Sequence, residues 1–310
     1  MDSLNQIDIK NKLSLNEPLF RNIKVYTQNF DIIPSDNQHY GVSIRYQDLQ
    51  ELRYDFLNDL FNSIIDWVYS SDKYKELKEI EIAKGRSEAN AFMEILSRAR
   101  NKFRGNHDSD NLLVQGQMGE LLLFNFIQKF MQAAPLLRKM KITTSSQHER
   151  FGADAIHFKF ENDKPKIILG EAKTYTSDYR FKAAFEDAVD SIINTYNNHR
   201  NELNLYVHED FLDEEMNAVA EAYLNKTLDH PEIHLVSVVV YNENRSIDTT
   251  TTEDDIHKQI EQIIIERYQS FDNNKIDIAN NPILKRIVYI LFPVWELDKL
   301  AQDFQNKIWL

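Results

Sequence analysis

The chain contains no cysteine in 310 residues, which removes disulfides, thiolate metal sites and cysteine nucleophiles from consideration. Glycine and proline are scarce, at seven each, and five of the glycines fall between positions 105 and 170 with none beyond. Neither G-x-x-x-x-G-K-[ST] nor G-x-G-x-x-G occurs, so the backbone loops that cradle the phosphates of ATP or a dinucleotide are absent. If the system needs a nucleotide, another chain must hold it. Long hydrophobic runs are missing too. The longest, Ile287 to Trp295, is interrupted by Pro293 and falls well short of the roughly 17 residues a membrane span needs. The first twenty residues carry no basic stretch followed by an apolar one, so they do not read as a secretory signal, and a cytoplasmic protein is expected.

Basic charge is also in deficit: 36 Lys and Arg face 49 Asp and Glu, a net charge of −13. Free-standing nucleic-acid binders are normally basic, because neutralising phosphates dominates their affinity. The isolated chain is therefore not expected to hold nucleic acid tightly. The deficit is uneven. Arg138 to Lys182 holds 10 basic and 6 acidic side chains, a local +4, which leaves −17 for the remainder. With 42% hydrophobic and 27% charged residues the composition is that of a globular chain. The length suits one large domain or two moderate ones. A smaller α+β region over 1–85 and a larger domain over 86–310 are expected, with Gly85 as the boundary.

Periodicity supplies the elements. Asn22–Phe30 and Tyr40–Tyr46 read as strands around a turn at Pro34-Ser35-Asp36-Asn37. Leu49, Leu52, Phe56, Leu60, Ile64 and Val68 are spaced as one amphipathic helix. A second helix starts at Ser87 and runs to about Phe103. A third, from about Asp110 to Met131, is apolar almost all round, which predicts burial. Strands follow at about 137–144, 151–160 and 166–174, the last two joined by the turn Asn162-Asp163-Lys164-Pro165. A helix over 181–200 packs on them. Val236–Tyr241 reads as a buried strand, Thr252-Glu253-Asp254-Asp255 as a capped helix start, Leu284–Val294 as a last strand and Glu296–Ile308 as a closing helix.

Within this pattern one segment carries chemistry: Asp154 on one strand, then Glu171 and Lys173 two apart on the next. Side chains alternate across a strand, so Glu171 and Lys173 share a face. If the two strands pair antiparallel, Asp154 comes close to Glu171. Two carboxylates that close repel unless a cation or a proton lies between them. Mg2+ favours such a donor set, with waters and a substrate phosphate completing its octahedron. A lysine beside it would orient the attacking water or stabilise transition-state charge. E-x-K by itself arises often by chance as a surface pair. The upstream aspartate, the flanking small residues Gly170 and Ala172, and the basic neighbourhood add weight. So does Glu120, which follows Gly119 in the middle of the all-round apolar helix, where an ionised carboxylate is costly without a cation.

Glu120, Asp154 and Glu171-x-Lys173 together resemble the PD-(D/E)xK nuclease superfamily. More closely, Gly116-Gln-Met-Gly-Glu120-Leu, Phe151-Gly-Ala-Asp154-Ala-Ile-His157 and Leu169-Gly-Glu171-Ala-Lys173-Thr-Tyr175 are similar to the HamA family, nuclease subunits of Hachiman anti-phage defence, with the AbpA anti-phage proteins next. The specific match spans about 110–200. Ala153 stands where the superfamily has proline, a residue that shapes the turn and is not a ligand. The resemblance implies an α/β fold with a restriction-endonuclease-like core, a mixed central sheet flanked by helices. It implies Mg2+- or Mn2+-dependent cleavage of DNA, with Asp154, Glu171 and Glu120 as metal ligands and Lys173 assisting the water. It also implies a helicase partner resembling HamB, which would bring DNA to an acidic chain. The alternative from another class is a non-catalytic, partner-binding subunit that keeps the nuclease fold; RNA as substrate is a third reading.

Other residues weigh less. His157 lies on the opposite strand face from Asp154 and is expected to be structural. Arg150 and Lys182 flank the site as phosphate contacts or solvated surface. Tyr175 is expected to pack. Pro231 between His230 and His234 argues for a turn over a metal pair, and the acidic run Glu209–Glu215 reads as a solvated face.

Overall fold

The computed structural model describes residues 8–104, 111–137, 153–162, 164–177, 181–206 and 214–309. In chain order its elements are α1 (Glu17–Arg21), β1 (Ile23–Tyr26), β2 (Tyr40–Ile44), β3 (Tyr46–Gln47), β4 (Gln50–Glu51), α2 (Arg53–Asn62), α3 (Ile64–Val68), α4 (Ser71–Ala83), α5 (Glu88–Arg104) and α6 (Asn111–Met131). There follow β5 (Ala134–Leu137), β6 (Ala155–Glu161), β7 (Lys164–Tyr175), α7 (Phe181–Tyr206), α8 (Glu214–Leu224), β8 (Glu232–Asn242), α9 (Glu253–Gln269), β9 (Ile287–Val294) and α10 (Leu297–Trp309).

Seven strands form one mixed sheet in the order β1-β2-β9-β8-β7-β6-β5. β2, β9, β8 and β7 run parallel, while β6, β5 and β1 each pair antiparallel with their neighbours. Strands β1 and β2, which precede Gly85, belong to the same sheet as β5 to β9. Strict alternation assigns the two faces. On β8, Leu235, Val239 and Tyr241 enter one core, with Phe185 and Ile192 of α7, Tyr223 of α8 and Ile260 of α9. Val236, Val238 and Val240 enter the other, with Phe56 of α2, Ile95 of α5, Leu122 of α6 and Phe304 of α10. A sheet covered by helices on both sides explains why its central strands read as near-continuous apolar runs. Among the described residues no helix is long and apolar enough to cross a membrane.

Two glycines set how closely α6 approaches β7. A Cβ on Gly170 would stand 2.7 Å from Ile127 Cδ1 and 3.0 Å from Leu123 Cδ2, and one on Gly119 would stand 2.5 Å from Thr174 Oγ1. Helix and strand are thus in contact where side chains elsewhere would hold them apart.

Several expected boundaries differ. Leu49 does not open the first amphipathic helix. Asp48 and Leu49 have positive φ values of 51° and 62° and turn the two-residue hairpin between β3 and β4, leaving Leu49 exposed. The helix starts at Arg53 and breaks at Ser63, whose hydroxyl donates back to Leu60 O at 2.8 Å. Residues 72–83, to which periodicity assigned no element, belong to a helix, α4, capped by Ser70 accepting from Lys73 N at 3.2 Å. Residues 284–286 are not strand; Pro282–Arg286 form a 3-10 turn ahead of β9. Most of the expected 137–144 strand lies outside the described residues.

Candidate functional site

The turn after Glu161, with Asn162 at φ 53°, folds β7 back along β6. Their antiparallel register pairs Ala155 with Gly170, so Asp154, one residue earlier, faces Glu171. Backbone bonds fix the approach: Asp154 N donates to Gly170 O at 3.1 Å, and Ala172 N donates to Asp154 Oδ2 at 2.9 Å. Ala153 N donates to the Glu202 carboxylate on α7, which anchors the segment just ahead of the acid. Asp154 is 8% exposed and Glu171 4%.

Glu171 is held by three donors. Its Oε1 accepts from Lys173 Nζ at 2.9 Å and from Ser191 Oγ at 2.6 Å, and its Oε2 accepts from Thr195 Oγ1 at 3.0 Å. Ser191 and Thr195 are one turn apart on α7, so a single helix face presents both hydroxyls to the carboxylate. Burial, and then the adjacent Asp154 charge, push the Glu171 carboxyl above its ordinary range, while the Lys173 ammonium and the Ser191 hydroxyl pull it down. The upward direction prevails. Lys173, with 28% of its side chain exposed, connects this buried pair to solvent.

Glu120 is placed differently. α6 packs on the face of β7 that carries Gly170, Ala172 and Thr174, the opposite face from Glu171 and Lys173. Glu120 is half-buried there, not enclosed as the apolar helix pattern implied. Among the described residues no group of three or more His, Asp or Glu side chains is assembled to hold a metal ion. The structure therefore brings Asp154, Glu171 and Lys173 together and leaves Glu120 outside any three-carboxylate cage. The two facing carboxylates still fit a hard divalent cation: both are oxygen donors, both are largely shielded from water, and burial, with the Asp154 charge added to it, raises the Glu171 pKa.

The remaining candidates fall outside this centre. His157 is fully buried, with Nδ1 3.0 Å from Ala133 O and its ring edge-on to Phe124 at 5.8 Å, a packing role. Tyr175 donates to Asp187 Oδ2 at 2.6 Å. Lys182 is exposed on the first turn of α7. His230 is 97% exposed, while His234 pairs with Glu232 at 3.4 Å, so the two histidines form no site. Arg150 and most of the acidic run at 209–215 lie outside the described residues; Glu215 pairs with Lys12 at 2.8 Å.

Three residues that hold the centre were not anticipated: Ser191, Thr195 and Glu202. Their signal was faint but present. Ser191 and Thr195 recur at i and i+4 beside Ala184, Ala188 and Ile192, interrupting the apolar face that α7 turns to the sheet.

Comparison with protein families matches the chain to the HamA model over residues 19–308. Comparison with curated proteins gives none.

Proposed function

The chain belongs to the HamA family, and on that premise we propose that it is the nuclease component of a Hachiman-type anti-phage defence system, a divalent-metal-dependent deoxyribonuclease with a PD-(D/E)xK core. The observation that carries this reading is the Asp154–Glu171 pair facing across β6 and β7 with Lys173 hydrogen-bonded to it. The order of elements around the pair, α6-β5-β6-β7-α7-α8-β8, supports it, since α6 covers one face of a mixed four-strand unit and α7 with α8 the other.

In this reading Asp154 and Glu171 would hold Mg2+ or Mn2+ through their carboxylate oxygens, and Glu120, carried by α6 on the other face of β7, would contribute as the third acid through a water. The bound ion would acidify a water and neutralise charge growing on the phosphoryl oxygens. Lys173 turns its ammonium from Glu171 toward the scissile phosphate, where it orients the attacking water and stabilises transition-state charge. Ser191 and Thr195 keep Glu171 in place while Lys173 is away. Gly170 and Gly119 let α6 pack closely behind the strand that carries Glu171 and Lys173. The net charge of −13 favours delivery of the DNA by a partner, for which we propose a helicase resembling HamB.

The test is plasmid degradation by the purified chain with its helicase partner, with and without Mg2+ and ATP, using supercoiled DNA and an RNA of equal length. Wild type should degrade DNA only with the divalent ion, and Glu171→Ala and Lys173→Ala should lose at least about 100-fold in rate while remaining folded. Cleavage at the wild-type rate by either variant would sink the assignment. Unimpaired phage protection by Glu171→Ala would favour a non-catalytic subunit.

A further inference from the structure

A row of polar residues crosses the face of the sheet that α7 covers. Asp154 faces Glu171, Glu171 is the Cα partner of Ser237 on β8, and Ser237 is the Cα partner of Tyr289 on β9. Ser237 interrupts a run of apolar neighbours, Val236, Val238, Val239 and Val240, and is 0% exposed. Among the described residues its Oγ has no hydrogen-bond partner. A buried hydroxyl without a partner is a standing cost that alanine would remove. Its backbone lies one strand from that of Glu171, on the same face, about 4.8 Å away along the hydrogen-bonding direction. Tyr289, next in the row, is committed to ring packing, with its centroid 5.3 Å from His39 and 4.8 Å from Phe185. Ser237 is the short hydroxyl next to Glu171, and a turn about one side-chain bond re-aims it.

Glu171 currently takes Lys173, Ser191 and Thr195 as donors. Removal of Lys173 leaves a buried carboxylate one donor short, beside Asp154. We propose that Ser237 is a positioning residue that donates to Glu171 when Lys173 is withdrawn, so that the carboxylate keeps its place through both positions of the lysine. That Lys173 is withdrawn toward a phosphate rests on the nuclease reading; the hydroxyl's exchange of partner does not.

A double-mutant cycle on the full chain tests the exchange without any activity measurement. In a metal-free buffer Ser237→Ala should raise the melting temperature by about 2–4 °C, because an unpaired buried hydroxyl is removed. In the Lys173→Met background the same substitution should lower it by a similar amount, because Glu171 then depends on Ser237. An effect of the same sign and size in both backgrounds overturns the proposal, as does destabilisation by Ser237→Ala alone. Calorimetric titration with Mn2+ is the second arm: Ser237→Ala should bind about tenfold more weakly, as for other groups that orient a ligand, and unchanged affinity overturns the proposal. With plasmid DNA and the partner present, the loss should appear in kcat with KM retained. Absence of divalent-dependent cleavage by wild type refutes the nuclease reading, and the melting cycle still decides whether Ser237 and Glu171 pair.

Discussion

Replacing Glu171 with glutamine separates the folding cost of the candidate centre from its use. The carboxylate is 4% exposed and faces Asp154, so its ionised form carries both desolvation and like-charge repulsion. Glutamine has the same shape. Its oxygen retains Lys173 and Ser191, and its NH2 meets Thr195, whose hydroxyl accepts as readily as it donates. What is lost is charge assistance in the Lys173 and Ser191 bonds, about 1–2 kcal/mol. What is gained is relief of a buried charge next to another, worth about 2–3 kcal/mol after the remaining donors are counted. The balance favours the variant by about 1 kcal/mol in chelator at pH 7. With an unfolding entropy of about 2.1 cal/mol/K per residue over 310 residues, that is a rise of about 1.5 °C in melting temperature. The pH dependence has a definite sign. Glu171 is raised from the ordinary 4.5, so its contribution is fully present below that value and is lost as pH climbs through the folded-state pKa. The variant has no such loss, so the gap between the two proteins should open from about pH 4.5 upward. Mg2+ should reverse the order. At a hundred times its Kd it adds about 2.7 kcal/mol, or about 4 °C, to a protein that binds it, and much less to the variant. Scanning calorimetry at several pH values, in chelator and in Mg2+, reads both effects. A variant less stable than wild type in chelator, or equally stabilised by Mg2+, refutes the reasoning.

Two further outcomes follow from local geometry. Gly119→Ala places a Cβ 2.5 Å from Thr174 Oγ1 and should cost about 1–3 kcal/mol. Gly116→Ala, in open space on the same helix, should gain up to about 1 kcal/mol; equal effects in urea titration would show that α6 does not press on β7 there. Thr252→Ala removes the cap of α9, where Thr252 Oγ1 accepts from Asp255 N at 3.3 Å, and should cost about 1 kcal/mol without altering Mn2+ binding.

How far the sequence could be read depended on the range of the interaction. The antiparallel pairing of β6 with β7 was legible because the turn after Glu161 and the alternation on either side are local. The capped start of α9 at Thr252 was legible for the same reason. Leu49 misled because its spacing fits a helix while Asp48 and Leu49 adopt left-handed backbone, which hydrophobic periodicity does not register. For Glu120 the helix was evident, but its half-burial depends on how α6 packs against β7, a tertiary fact. Ser191 and Thr195 were unremarkable polar residues until α7 was placed over β7. Ser237 went unnoticed within the strand Val236–Tyr241, because only the parallel register with β7 puts it beside Glu171.

The central place of β9 has a consequence for the order in which the chain is made. β9 enters between β2 and β8, yet 247 residues separate Tyr40 from Ile287. At roughly 5–20 residues per second of synthesis, β2 waits about 12–50 s for its neighbour. During the last 45 residues of that interval, from Asn242 to Ile287, the apolar β8 has one bare edge. Such an edge templates pairing with other chains, so the nascent protein is most exposed to aggregation, and most in need of a chaperone, after the candidate centre has emerged and before the sheet closes around it.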